Sequence, residues 1–152
     1  MTEMYLSISL TSNCDFDTDY VSQKLGVKPT RIRKKGGRIG PIESTSVYKY
    51  TEWEYAAEPI SADDAQPLIS QMMKTFQGCE GTMLDLANWC TGQWTIVLDG
   101  YIHSGNAPTV LLLPETVKFC SSINAAFQYV IDISCDYSNH QEYRRKYGSA
   151  EN

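Results

Sequence analysis

The sequence predicts an α+β domain with a mostly antiparallel sheet of about five strands and helices packed on one face, in the order β-α-β-α-β-β-α-β. Apolar and polar residues alternate over residues 5–10 and again over residues 93–103, which is typical of half-buried strands. Between them, residues 65–76 repeat apolar side chains at helical spacing. The chain has 152 residues, enough to bury one core, so we expect a single domain over residues 1–137 and a polar tail over residues 138–152.

The first third of the chain predicts a strand, a short helix and a second strand. Leu6, Ile8 and Leu10 form the buried face of the first strand. Asp15 or Asp17 can cap the helix, since a carboxylate accepts from the unpaired N–H groups of a first turn. Gly26 suits the left-handed position after its end. Residues 47–57 are rich in β-branched and aromatic side chains and predict the second strand.

The remaining helices and strands are predicted mainly from the residue types that begin or end such elements. Ser61 is a candidate cap for the helix over residues 65–76, and a further short helix is expected over residues 82–89. The strand over residues 93–103 should turn at residues 104–108 and pair back as a hairpin with residues 109–113. Pro114 suits the first turn of the next helix. We expect a last strand over residues 129–135, and the side chains expected on the buried side of the last helix are Val117, Cys120, Ile123, Asn124 and Phe127.

Charge is distributed unevenly along the chain. Residues 28–38, the basic segment, hold six of the thirteen Lys and Arg residues and no carboxylate. The formal net charge is −5, so the rest of the chain carries −11 once those six positive charges are set aside. Such separation steers charged partners. The candidate binding residues are Arg31, Arg33, Lys34, Lys35 and Arg38.

Three interpretations of the basic segment remain open. It can be an ordinary solvated loop, a docking site for an acidic protein, or a contact for phosphate or nucleic acid. The acidic pI of about 5.0 and the absence of an aromatic residue in the segment disfavour nucleic acid. Gly36 and Gly37 lack the Gly-Lys-Ser/Thr ending of a phosphate-binding loop.

A second candidate site lies on the strand over residues 93–103. Asp99, Tyr101 and His103 occupy alternate positions, and Asp132 belongs to a strand that can lie nearby. A carboxylate, a phenol and an imidazole on one face are suited to acid–base chemistry or to a small-molecule pocket. The alternative is the polar outer face of a one-sided sheet. No metal, cofactor or nucleophile motif appears, so we expect neither a cofactor nor a catalytic set.

The cysteines indicate a reducing compartment. Their number is odd and none forms a C-x-x-C pair, which favours free, mostly buried thiols in the cytoplasm. The N-terminus carries no secretory pattern, and no apolar run approaches membrane-spanning length. The five cysteines are Cys14, Cys79, Cys90, Cys120 and Cys135.

Several short motifs resemble a bacterial family catalogued as domain of unknown function 4279. They are an acidic turn after the first strand, a short helix ending Leu25-Gly26, Pro29-Thr30, a Lys/Gly stretch and a strand around Trp53. The Leu111-Leu112-Leu113-Pro114-Glu115 helix start and the Val130-Ile131-Asp132-Ile133 strand are similar too. The resemblance covers residues 5–137 and implies a bacterial cytoplasmic α+β domain with no established activity. The positive charge at residues 31–38 and the tail go beyond the family pattern.

These observations favour a non-enzymatic module that binds another protein, such as an immunity-type inhibitor that masks a basic toxin. The alternative is a domain that binds a small molecule or phosphate, with a weak hydrolase as its enzymatic form. A broad acidic surface would favour the first hypothesis. A deep pocket that brings His103 and Asp99 together with Lys or Arg side chains would favour the second.

Overall fold

A computed structural model describes residues 2–103, 105 and 107–133. The strands are β1 (Thr2–Ser12), β2 (Arg31–Arg33), β3 (Thr51–Ala56), β4 (Ile60–Ser61), β5 (Gln93–Ile102) and β6 (Ala126–Asp132). The helices are α1 (Thr18–Leu25), α2 (Gln66–Thr75), α3 (Glu80–Cys90) and α4 (Pro114–Ser122). Within the described residues the strands form one sheet in the order β2-β3-β1-β5-β6, and β4 pairs with β1 beside β3. Every strand pairing is antiparallel except that of β5 with β6.

The predicted α+β architecture is confirmed. One set of alternate side chains on each central strand enters a single core with the helices, and the opposite set faces away from it. Trp53 and Trp94 lie edge to face in this core with their ring centroids 6.1 Å apart, and neither is exposed. Each indole N–H has a partner, the hydroxyl of Ser22 for Trp53 and the carbonyl of Met83 for Trp94. Burial therefore leaves neither donor unsatisfied.

Helix α1 begins and ends as its sequence predicts. The Asp17 carboxylate caps it by accepting from the N–H groups of Asp19 and Tyr20, and Gly26 closes it at a φ of 65°. Asp15, the other candidate cap, instead accepts from the hydroxyl of Thr51 at 2.7 Å. The side chain of Asp15 thus ties the turn before α1 to the start of β3.

The predicted hairpin after β5 is wrong. Its expected second arm forms no strand, and β6, which follows α4, takes the place beside β5 in parallel. Thr109 pairs instead with the segment before α2, accepting from the N–H of Ala65 and donating to the carbonyl of Asp63. Pro108 is buried over Gly100, where a Cβ would lie 3.5 Å from the proline Cγ. The returning chain therefore packs against the core face of β5 at Gly100.

Two element starts differ from the sequence prediction. Ser61 ends β4 and caps no helix, because α2 begins only at Gln66, whose N–H is accepted by the Asp64 carboxylate. The strand expected over residues 47–57 is regular only as β3, and Val47 forms an isolated bridge with Arg38.

The buried stripe of α4 also differs from prediction. Thr116 and Phe119 are buried, with Ile123 just after the helix, whereas Val117 is exposed. Asn124 is exposed at a φ of 52°, and Phe127 belongs to β6.

The last strand begins at Ala126, so the turn after α4 comes earlier than the apolar pattern suggests. Its predicted end at residues 134–135 and the tail lie outside the described residues, as do two positions of the turn after β5. None of the described helices is long and apolar enough to cross a bilayer.

Candidate functional site

The side of the sheet that faces away from the helices, here called the open face, carries the candidate site residues of β2 and β5. Because successive side chains of a strand point to opposite faces, the register determines which residues share it. On β1 they are Glu3, Tyr5, Ser7, Ser9 and Thr11; on β5 they are Gln93, Thr95, Val97, Asp99 and Tyr101; β2 and β3 add Arg31, Arg33, Glu52 and Glu54; β6 adds Ala126, Gln128, Val130 and Asp132.

At one edge of the open face, two arginines of β2 are paired with two glutamates of β3. Arg31 lies opposite Glu54, with Nη2 at 2.9 Å from Oε2, and Arg33 lies opposite Glu52, with Nη1 at 2.5 Å from Oε1. Thr11 donates its hydroxyl to the other oxygen of Glu52 at 3.3 Å. Two of the six cations of the basic segment thereby serve cross-strand pairing, which stabilises a sheet edge.

Sequence reasoning missed strand β2, although a signal for it exists. The chain reads Arg-Ile-Arg over β2 and Glu-Trp-Glu over residues 52–54, so the two stretches alternate charge and apolar side chain in complementary order. Ile32 opposes Trp53 on the core face of the sheet. Gly36 and Gly37 follow the strand and do not interrupt it.

Burial and neighbouring charges shift the pKa values of two charged side chains at this edge of the sheet. Burial raises the pKa of Glu54 above its ordinary value, and the attraction of Arg31 offsets this only in part. For Arg33, burial lowers the pKa, but the charge of Glu52 and a hydrogen bond with Tyr48 outweigh it, so the net shift is upward. The Arg33 guanidinium also lies over the Tyr48 ring, 5.6 Å from its centroid.

The other cations of the basic segment also have partners. Lys34 lies 2.9 Å from the Asp15 carboxylate and donates to the carbonyl of Phe16 at 2.5 Å. Lys35 donates its ammonium to the carbonyl of Asn13 at 2.9 Å, and Arg38 donates to the carbonyl of Ile42 at 3.0 Å. Five of the six cations therefore bind groups of this same chain.

Asp15 is the acidic counterpart of Lys34. Hydrogen bonds from Thr51 and then Lys34 hold the pKa of Asp15 below its ordinary value of 3.8. Thr51 is fully buried, and its hydroxyl also accepts from the N–H of Lys35 at 3.1 Å. The end of β2, the turn before α1 and the start of β3 are thus joined by one polar network.

The opposite end of the open face is acidic and aromatic. Tyr5 pairs with Asp99, Glu3 with Tyr101, and Tyr101 with Asp132. The rings of Tyr5 and Tyr101 meet edge to face with their centroids 5.5 Å apart. We call Glu3, Tyr5, Asp99, Tyr101 and Asp132 the acidic end.

His103 follows β5 at the same end. Its Nε2 lies 3.9 Å from Oε2 of Glu3, and both side chains are about one-fifth to one-quarter exposed. The structure therefore brings the predicted Asp99, Tyr101 and His103 together with Asp132, as the sequence pattern suggested. Whether they bind a ligand stays a prediction.

The two candidate sites do not meet. Strands β3 and β1 lie between β2 and β5, which separates the arginines from the candidate residues of β5 by three strand spacings, about 14 Å. Among the described side chains, no Lys or Arg of a strand belongs to the acidic end. Asp99 and His103 are thus grouped with further carboxylates.

Four of the five cysteines belong to the part of the chain that the structure describes. Cys14, Cys79, Cys90 and Cys120 are free thiols there, and Cys135 lies outside it. Burial raises the pKa of the Cys90 and Cys120 thiols, which lowers the fraction of reactive thiolate. No group of three or more potential ligands that could hold a metal ion occurs among those residues.

Comparison with known proteins establishes the family. The family model described as "Domain of unknown function (DUF4279)" matches residues 2–134, so the chain belongs to that family, as the short motifs of its sequence suggested. No curated protein matches the chain. No solved structure matches it either.

Proposed function

We propose that this member of the DUF4279 family is a non-enzymatic protein-binding module that docks a basic partner on the acidic end of its open face. Its most concrete form is an immunity-type inhibitor that masks a cationic protein such as a nuclease toxin. We place this activity in the reducing cytoplasm of a bacterium, in keeping with cysteines that carry no disulfide pattern.

The observation that carries the proposal is the composition of the acidic end. Three carboxylates, those of Glu3, Asp99 and Asp132, surround the edge-to-face pair of Tyr5 and Tyr101. Tyrosines supply large contact area with few rotatable bonds, and they are enriched at interfaces. Carboxylates around them raise the association rate with a basic partner and reject an acidic one.

The ion pairs of the basic segment also favour a basic partner over an acidic one. The charges of Arg31, Arg33 and Lys34 are each matched by a carboxylate of this chain. An acidic partner or a phosphate would have to compete with those carboxylates at 2.5–2.9 Å. The acidic end, with the carboxylates of Glu3, Asp99 and Asp132, has the charge that a basic partner complements.

The alternative, a domain that binds a small molecule or phosphate, has less support. It required His103 and Asp99 to be grouped with Arg or Lys side chains, and the arginines of the open face lie about 14 Å away across two strands. His103 is instead oriented toward Glu3.

The experiment compares partner capture by two charge-matched variants. The test variant is Glu3→Gln/Asp99→Asn/Asp132→Asn, and the control is Glu43→Gln/Glu58→Gln/Asp85→Asn, which removes the same charge at exposed positions off the open face. Each protein is immobilised and exposed to small basic proteins, any that are encoded beside its gene included, with binding measured at low and high salt. We expect the test variant to lose binding by at least about tenfold, and wild-type binding to weaken with salt.

Circular dichroism first confirms that both variants are folded. Equal binding by the test variant and the wild type would refute the proposal. Binding lost by Lys28→Glu/Lys35→Glu but retained by the test variant would instead support docking at the basic segment.

A further inference from the structure

The two edges of the sheet differ in how they are protected. Strand β2 has only three residues, follows Pro29 and carries Arg31 and Arg33. Short length, charge and a nearby proline are devices that stop an edge strand from pairing with another chain. The β2 edge is therefore protected against strand addition.

Strand β6 at the other edge lacks these devices, apart from one charge at its end, Asp132. It is seven residues long, contains no Lys, Arg or Pro, and reads Ala-Phe-Gln-Tyr-Val-Ile-Asp. Among the described residues β5 is its only paired strand, and no backbone hydrogen bond from outside the sheet reaches residues 126–133. Val130 is 37% exposed and Ile131 is 43% exposed.

Apolar side chains on both faces of β6 make this edge unusual. Val130 belongs to the open face and Ile131 to the core face, and Ile133 just beyond them is 74% exposed. Phe127 and Tyr129 are only half-buried although they lie on the core face. A long apolar edge of this kind is a template for another strand.

We propose that β6 pairs antiparallel with β6 of a second copy of this chain, joining two sheets into one across a two-fold axis. The inference does not rest on the proposed function: it uses the edge of β6, shares only Asp132 with the acidic end, and is tested by variants that leave Asp132 unchanged.

The sequence of β6 is suited to pairing with itself. Residues opposite each other must share a face, which a two-fold axis through Tyr129 satisfies. It places Gln128 opposite Val130 of the second copy and Phe127 opposite Ile131 of the second copy. The single charge, Asp132, then faces Ala126 of the second copy, so no like charges are opposed. Phe127 meets a β-branched residue, and Tyr129 meets Tyr129 of the second copy.

Such an axis stands perpendicular to the sheet, so both open faces lie on the same side of the joined sheet. The half-buried Phe127 and Tyr129 of each copy would be covered by the neighbouring copy. An isologous contact of this kind closes at two subunits and leaves the arginine-bearing β2 edges outside.

The experiment measures the mass of the full-length protein by light scattering over a range of concentrations. The test variant is Val130→Lys, and the matched control is Val117→Lys, the same change at a residue 52% exposed on α4. We expect a dimer for the wild type and the control, and dimerisation weakened by at least about tenfold in the test variant. If Val130→Lys does not fold, Gln128→Lys, exposed on the same face, repeats the test.

Hydrogen exchange of the β6 amides identifies what covers the edge. Protection that rises with protein concentration, and falls in the test variant, supports the dimer. A monomer at every concentration overturns it, whether the β6 amides exchange freely or are protected by another part of the same chain. A dimer that Val130→Lys and Gln128→Lys leave intact overturns it as well.

Discussion

Arg33 of β2 and Glu52 of β3 lie directly opposite each other on the open face, with Nη1 2.5 Å from Oε1. Only 21% of the Arg33 side chain and 12% of the Glu52 side chain are exposed. A pair this deep stabilises more than an exposed one, but each partner left alone would retain the cost of its own desolvation. The stability of this edge therefore depends on keeping both residues or neither.

Replacing one member of this pair should destabilise the protein more than the pair's own strength suggests. We expect Arg33→Met and Glu52→Gln each to lower the free energy of unfolding by about 1–3 kcal/mol. The double variant should lose less than the sum by about 1 kcal/mol, as residues in direct contact do. Urea denaturation measures all three. Lys35→Met, at an exposed position, should stay within about 0.5 kcal/mol of the wild type, and a coupling energy near zero would show that the pair adds nothing.

The pH dependence of stability should contain a contribution from Asp15. Because Thr51 and Lys34 hold its folded pKa below the ordinary 3.8, the ionised carboxylate stabilises the fold above that value. The stability is lost as pH falls from 3.8 through the lower folded pKa. We expect the difference in unfolding free energy between the wild type and Asp15→Asn to shrink over that range, and NMR titration to show the Asp15 pKa rising in Thr51→Val. An unchanged difference would contradict the assignment.

The two faces of β5 should respond differently to truncation. Leu98 is fully buried between the sheet and the helices, so Leu98→Ala should cost about 2–5 kcal/mol. Thr95 lies half-exposed on the open face, and Thr95→Ala should cost under about 1 kcal/mol. Thermal and urea denaturation give both values. Equal losses would mean that the open face is covered in solution.

Two glycines near each other in sequence should respond with opposite signs to alanine. A Cβ on Gly92 would lie 2.7 Å from Sγ of Cys90 and 2.9 Å from the carbonyl oxygen of Thr11, so Gly92→Ala should cost about 1–3 kcal/mol. A Cβ on Gly81 of α3 meets no atom within 4 Å, so Gly81→Ala should stabilise by about 0.5–1 kcal/mol. Melting temperatures that shift in the same direction would contradict this account of the turn after α3.

Thiol titration tests the expected redox state. All five cysteines should react with a thiol reagent after denaturation of freshly prepared protein. In the native protein, exposed Cys14 should react first, and Cys90, buried and with a raised pKa, should be among the slowest. Fewer than five thiols in the denatured protein would contradict a reducing compartment.

The sequence alone determined the elements whose signals are local. Alternation placed Leu6, Ile8 and Leu10 on the buried face of β1, and the Asp17 and Gly26 ends of α1 follow from hydrogen bonds made within a few residues. Strand β5 and the separation of Asp99, Tyr101 and His103 from its buried face were predicted for the same reason. A period of two needs no knowledge of the rest of the chain.

Only the tertiary structure decided which strands are neighbours. The hairpin expected after β5 did not form, because Pro108 crosses over Gly100 and the edge beside β5 is taken by β6, which arrives after α4. Local patterns specify that a strand exists, whereas its partner depends on side chains distant in sequence.

The basic segment likewise combines a property that the sequence determines with one that only the tertiary structure decides. Its charge is evident in the sequence, but its local partners are not, because Asp15 precedes it by more than ten residues and Glu52 and Glu54 follow it by about as many. Long side chains form an ion pair only where folding brings their ends within a few ångströms. The sequence determined that these cations are concentrated, and the tertiary structure decided that Arg31, Arg33 and Lys34 are matched from within the chain.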